Sequence, residues 1–223
     1  MSARLLIATA VNAERDAILA GLGTGAEHVS VAAVGVGPAA AAAGTARLLA
    51  LAEAGGTPYP LVVCAGIAGG FADRVRVGGV VLATRSVAAD LGAASPDGFL
   101  PLDELGFGGT PFDADPTVLA ALRAALPQAT AGSVLTVSTV TGTAPAAAEL
   151  VARYPDAVAE AMEGYGVACA AALSGTGFAE LRAISNLVGF RDRAAWRVRE
   201  ALIALAAAAP ALAAVTVGEW LSR

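Results

Sequence analysis

Three carboxylates and one amide stand where this chain could do chemistry. Glu160 and Glu163 lie in the stretch Val158-Ala-Glu-Ala-Met-Glu-Gly-Tyr-Gly-Val-Ala-Cys-Ala-Ala-Ala172, which is otherwise small and apolar. A carboxylate in such surroundings loses hydration, so it must be paired, hydrogen-bonded or engaged with a ligand. The competing account is an acidic first helical turn, which suits the positive end of a helix dipole. Glu14 follows the first apolar run, and Asn186 ends the last one. If Glu14, Glu163 and Asn186 meet in one cleft, one carboxylate can activate water and the other can bind sugar hydroxyls. Each also has an ordinary role available: Glu14 as a first-turn helix charge, Asn186 as a turn residue.

Two further clusters carry polar chemistry. Ser138, Thr139, Thr141 and Thr143 follow a predicted strand. Arg191-Asp192-Arg193 with Trp196-Arg197-Val198-Arg199 places four arginines beside one indole. That cluster is either a solvated helix start or a site for an anionic group on a substrate.

The elements that must position these residues alternate between strand and helix. Apolar runs at 4–10, 29–35, 61–66 and 181–186 read as buried strands, with a longer strand drawn from 75–87 and another at 133–139. Asn12 is expected to cap a helix to about Leu22, and Pro38 to open an Ala-rich helix to about Glu53. Helices are also expected at 116–126 and 144–153, and 157–162 as a strand would start a helix near Gly164. The glycines at 66–70 are expected to break the third strand, and 90–115 to be a long surface excursion. Residues 201–218 are apolar enough to raise a membrane question, but Pro210 interrupts them and predicts two short packed helices. The pattern predicts one α/β domain over 1–223 with a mainly parallel sheet, its ligands bound beyond the carboxyl ends of strands.

Composition removes several functions. Hydrophobic residues make up 57% and charged residues 15%, which predicts a large core. All 14 basic residues are arginine, so neither a Schiff-base lysine nor a P-loop lysine exists. A net charge of −5 argues against a nucleic-acid partner. The lone histidine, His28, is expected at the surface or a strand edge, which removes most histidine-based triads and zinc sites. Cys64 and Cys169 sit in apolar runs and read as reduced thiols of a cytoplasmic, soluble protein without a signal peptide or membrane span. Gly35-Val-Gly-Pro-Ala-Ala40 imitates a dinucleotide fingerprint, but the next strand ends in Cys64-Ala65-Gly66 rather than an acid, so no nicotinamide cofactor is expected.

Ala65-Gly-Ile-Ala-Gly-Gly70, the Met162-Glu163 pair, Arg182-Ala-Ile-Ser-Asn186 and the threonines of 136–143 together resemble the nucleoside phosphorylase/nucleosidase superfamily. The resemblance runs from about Leu5 to Leu205. It implies a three-layer α/β/α sandwich with a mixed, mainly parallel sheet, a small-molecule nucleoside substrate, no cofactor or metal, and a homo-oligomer. It also implies that Glu14 activates water, that Met162 and Glu163 contact the ribose, that Asn186 and the Thr139, Thr141 and Thr143 loop hold the purine, and that Gly69 belongs to the substrate-binding residues. Asn186 stands where adenine-directed members carry an aspartate; an amide cannot act as an acid but can hydrogen-bond a 6-oxo purine such as hypoxanthine. Cys64 and Ile67 replace an arginine and a serine that bind phosphate in the hexameric phosphorylases, so water is the expected nucleophile. Arg191 or Arg193 would receive an anionic tail of the substrate. Glu160 matches nothing in the resemblance and is expected to be structural. The alternatives are a methylthioadenosine or adenosylhomocysteine nucleosidase, a nucleosidase for a 6-amino substrate, a phosphorylase, and a non-catalytic nucleoside-binding module.

Overall fold

A computed structural model describes residues 4–24, 26–108 and 111–218, the last three without their side chains. The strands are β1 (Leu5–Thr9), β2 (Val29–Ala33), β3 (Leu61–Gly70), β4 (Val80–Ala88), β5 (Gly92–Ser95), β6 (Gly98–Pro101), β7 (Pro111–Asp113), β8 (Thr130–Thr136), β9 (Ala157–Ala161) and β10 (Gly177–Leu187). The helices are α1 (Asn12–Leu22), α2 (Pro38–Ala54), α3 (Pro116–Ala125), α4 (Ala144–Arg153), α5 (Gly164–Leu173) and α6 (Val198–Gly218).

The main sheet has the order β10-β4-β8-β9-β3-β1-β2, with β7 on β4. Strand β10 also pairs with β3, so five of the strands close into a ring. Pairing is parallel except at β3–β9, β10–β4 and β4–β7, which makes the sheet mixed and mainly parallel. Period-two alternation in β1 builds the layers on either side. Leu5 and Ile7 face a core completed by Ile18 and Leu205, while Leu6 and Ala8 face one completed by Leu49 and Val167. The expected three-layer α/β arrangement stands, with the sheet curled on itself.

Three expectations are corrected. Strand β3 runs through the glycines to Gly70 instead of breaking, because β10 pairs along its whole length. The 90–115 excursion contains the β5–β6 hairpin and β7, although Gly109 and Thr110 lie outside the described residues. Residues 201–218 belong to a single helix with Pro210 inside it. A proline in a helix interior costs about 3 kcal/mol, but Ala201, Leu205, Ala208, Ala209 and Leu212 form one buried stripe across it. By length and hydropathy α6 is, among the described residues, the helix that could cross a membrane; here that stripe is packed in the core. His28 precedes β2, its Nε2 3.2 Å from the Ala213 carbonyl.

Candidate active site

One cavity of about 230 Å³ opens where β3 leaves β1 and meets β9. It is lined by Glu14, Gly69, Thr141, Glu160, Met162, Glu163, Asn186 and Arg191 among others. A larger open groove of about 800 Å³, bounded by residues 72–80 and 125–130, includes none of these eight.

Glu14 reaches the cavity from the first turn of α1. Val11, not Asn12, is the residue before the helix. The Glu14 carboxylate turns back on the helix start and accepts from Ala10 N at 2.9 Å, Val11 N at 3.2 Å and Ile67 N at 2.8 Å. It is 4% exposed. Burial pushes its carboxyl above the usual range, against the opposing pull of the Ile67 and Val11 amides and the Arg182 charge. Gly66 allows this approach, since a Cβ there would stand 2.6 Å from Glu14 Oε1.

Glu163 sits at the junction of β9 and α5, just before the helix. It accepts from Gly37 N at 3.2 Å, Met162 N at 3.3 Å and Arg182 Nη1 at 3.1 Å. The glycine run that imitates a dinucleotide loop therefore donates an amide to a carboxylate. Arg182 is 1% exposed and joins the inner wall together. Its Nε donates to Glu180 at 2.9 Å and its Nη2 lies 3.2 Å from Cys64 Sγ. Burial works against its charge, but the Glu180, Glu163 and Glu14 carboxylates oppose that and hold the guanidinium protonated. Burial also pushes the Cys64 thiol well up, so it is a neutral group beneath the site.

Arg182 is the residue that sequence reasoning missed. The signal was available: Glu180 and Arg182 are charged residues two apart in an apolar strand, hence on one face. For Glu160 the sequence predicts only a structural charge. It is 5% exposed and lines the cavity, accepting from Thr141 N at 2.8 Å and from the Thr141 hydroxyl. Burial raises its pKa, the Thr141 bonds oppose this and the Asp90 charge adds to it.

Asn186 owes its aim to a register shift in β10 between Ile184 and Asn186. A bulge of this kind re-aims a side chain. Ser185 Oγ donates to Asn186 Oδ1 at 2.8 Å, leaving Nδ2 as the donor end, with one bond to Leu187 O at 3.0 Å.

Not every expected residue converges. Thr141 lines the cavity, but Thr139 is exposed and lines a separate pocket with Asp90 and Arg153. Thr143 instead caps α4, its Oγ1 accepting from Ala146 N. Residues two apart would share a face in a strand, but the chain bends at 138–139 and again at 143, so the three threonines do not point the same way. Asp90 stays outside the cavity and accepts from Ser138 N at 2.6 Å. Of the arginines, Arg191 reaches the mouth, its guanidinium 6.0 Å from the Trp196 ring centre. Arg193 does not; it lies exposed in a short 3-10 turn over Arg193–Ala195. Arg197 pairs with Glu200.

A curled mixed sheet that brings a buried, amide-held Glu14 and an arginine-held Glu163 to one cavity defines a class of nucleoside-processing α/β proteins. The family model of the phosphorylase superfamily matches residues 9–218, and the chain belongs to that superfamily. Within it, the chain is 52% identical over 225 residues to the futalosine hydrolase of Streptomyces coelicolor, covering 95% of both chains. It is 46% identical to the futalosine hydrolase of Acidothermus cellulolyticus, covering 96% of this chain and 92% of that one. In fold it is similar to the 5'-methylthioadenosine/S-adenosylhomocysteine nucleosidase of Colwellia psychrerythraea solved with adenine. That likeness has a TM-score of 0.81 at 23% identity and covers 98% of this chain and 97% of the other.

Proposed function

We propose that this protein hydrolyses the N-ribosidic bond of futalosine, releasing hypoxanthine and dehypoxanthine futalosine. The observation that carries this is the convergence of Glu14, Glu163 and Asn186 on one cavity. Relatives at 52% and 46% identity that are futalosine hydrolases support the choice of substrate.

Glu163 accepts from the ribose hydroxyls, and Arg182 aims its carboxylate through their ion pair at 3.1 Å. As the bond from C1' to the purine nitrogen breaks, its electron pair passes to the base and positive charge builds on the ribose. Asn186 Nδ2 donates to the base as charge grows there, which stabilises the leaving group without transferring a proton. Glu14 takes a proton from water as the water oxygen bonds to C1', and the turnover closes when the purine anion takes up a proton from solvent and Glu14 gives its own up. Water rather than phosphate suits this wall. Ile67 N is already engaged by Glu14, Cys64 is a buried thiol, and two carboxylates would repel a dianion.

The mouth suits a nucleoside with an apolar extension. Val11, Val36, Val140, Leu187 and Phe190 all line it and are all exposed, up to 83% for Phe190. Arg191 beside Trp196 would pair with a carboxylate on that extension. The setting we propose is menaquinone biosynthesis in the cytoplasm, which agrees with the free thiols of Cys64 and Cys169. We also propose a homo-oligomer, which would cover exposed apolar side chains such as Leu91 and Phe107.

Incubation with futalosine, with and without phosphate, tests the reaction by chromatography. The expected result is hypoxanthine release that does not depend on phosphate. Release only with phosphate would make the protein a phosphorylase, and tight binding without release would make it a binding module. Cleavage of methylthioadenosine as efficient as that of futalosine would replace the substrate.

A further inference from the structure

We propose that Glu160 selects 6-oxopurines over 6-aminopurines by accepting a hydrogen bond from the purine N1–H. The inference rests on the cavity taking a purine nucleoside, and it assigns a role to a carboxylate that the reaction above does not use.

Three adjacent strands place the relevant residues in one row. Asn186 of β10 is in register with Gly69 of β3, and Gly69 is in register with Glu160 of β9. Residues in register on neighbouring strands share a face, and all three line the cavity. Strands lie about 4.8 Å apart, so the Asn186 and Glu160 backbones stand roughly 10 Å from each other. Gly69 between them carries no side chain, and a Cβ there would lie 2.9 Å from Val188 Cγ2 and 3.3 Å from Asn186 Nδ2, so its hydrogen lets the Val188 and Asn186 side chains close in over the strand. A flat bicyclic base held in the cavity between Asn186 and Glu160 meets an amide donor at one edge and a carboxylate at another.

The two edges match a 6-oxopurine. Asn186 presents Nδ2, a donor for purine acceptors such as N7 and O6. Glu160 accepts from Thr141 N and the Thr141 hydroxyl, which occupies two of about four acceptor positions on a carboxylate. A remaining lone pair can take the N1–H of a 6-oxopurine. A 6-aminopurine offers a lone pair at N1, which opposes the carboxylate and leaves it desolvated without a partner. Thr141 holds the Glu160 carboxylate by both oxygens and so fixes which way that acceptor points. Ionised Glu160 is the selecting form, and Thr141 is its positioning residue.

The test compares free hypoxanthine with free adenine by calorimetry, and futalosine with its 6-amino counterpart by kcat/KM, in the wild type and in Glu160→Gln. The wild type is expected to prefer the 6-oxo member of each pair. Glu160→Gln is expected to lower both preference ratios at least tenfold, because an amide both donates and accepts. Equal losses on both members, with the ratios unchanged, would reduce Glu160 to a tether for Thr141 and overturn the proposal. So would a wild type that prefers adenine. If Glu160→Gln does not fold, Glu160→Asp serves, since a shorter acid withdraws the acceptor; an unchanged ratio there overturns the proposal equally. A protein that cleaves neither nucleoside would defeat the hydrolase assignment, while the base-binding ratios would still decide the role of Glu160.

Discussion

At the inner wall of the cavity Glu14, Glu163 and Arg182 are each at most 5% exposed and each held by three or more contacts. At its mouth Arg191 is solvent-exposed, with an indole at 6.0 Å as its recorded neighbour. Charges of the first kind are costly to remove from water and are fixed by their partners; charges of the second kind are screened and mobile. Rate should therefore depend on the wall, and affinity for an anionic tail on the mouth.

The wall is most directly broken by Arg182→Met. Removing one member of a buried ion cluster costs about 3–5 kcal/mol, because Glu163 and Glu180 lose their counter-ion. Thermal or urea unfolding should show that loss, and hypoxanthine release should fall with it. A variant as stable as the wild type would mean that the carboxylates take up protons at little cost. Next in size, Glu14→Gln should lower kcat by roughly 10²–10⁴-fold with the unfolding midpoint kept or raised. Normal turnover by a folded variant would remove the general-base assignment.

The mouth should respond more mildly. Arg191→Ala should raise the KM for futalosine about 1.4- to fivefold, the scale of an exposed ion pair of ~0.2–1 kcal/mol, and leave kcat alone. The KM for inosine, which has no tail, should not move. If the inosine KM rose equally, Arg191 would belong to the nucleoside site and the contrast between wall and mouth would fail.

The smallest effect concerns acidity. Glu14, Glu160 and Glu180 are all raised, burial being the largest cause in each case. Between the ordinary carboxylate range and these raised values the folded protein binds more protons than the unfolded chain. Stability contributed by these groups therefore falls as pH rises through that window and is regained on acidification. Asp156, held low by Ser133 and Arg85 despite burial, acts in the opposite direction. Melting temperatures stepped from neutral pH downward should rise before they fall. A monotonic fall would show that the three carboxylates are ionised and fully compensated. Hydrolysis should fall over the same acidic range, since protonated Glu14 cannot accept a proton.

Much of this site was legible in one dimension because its residues sit at strand ends. Glu14 and Glu163 each follow a strand by a few residues and Asn186 is the last but one residue of β10, and local pattern reveals such positions. Arg182 lies inside a strand, where its meaning depends on what faces it across the fold. The threonine loop was legible as a loop, but Thr139 and Thr143 carried the same local signal as Thr141 and ended outside the cavity. Four arginines advertised the mouth more loudly than anything advertised the wall, yet among them Arg191 alone lines the cavity.

From sequence alone came the α/β alternation, the family resemblance, and the carboxylates and amide that could do chemistry, since composition, periodicity and short motifs are local properties. Tertiary structure decided three things that no local pattern contains. Pairing of β10 with both β3 and β4 curls the sheet, and the split of β3 between β1 and β9 opens the cavity. The register across β10, β3 and β9 sets Glu160 in one row with Gly69 and Asn186 beside the cavity. Burial placed Arg182 among three carboxylates, because Glu163 and Glu14, 19 and 168 residues away in the chain, join its neighbour Glu180 around it only when the sheet has closed.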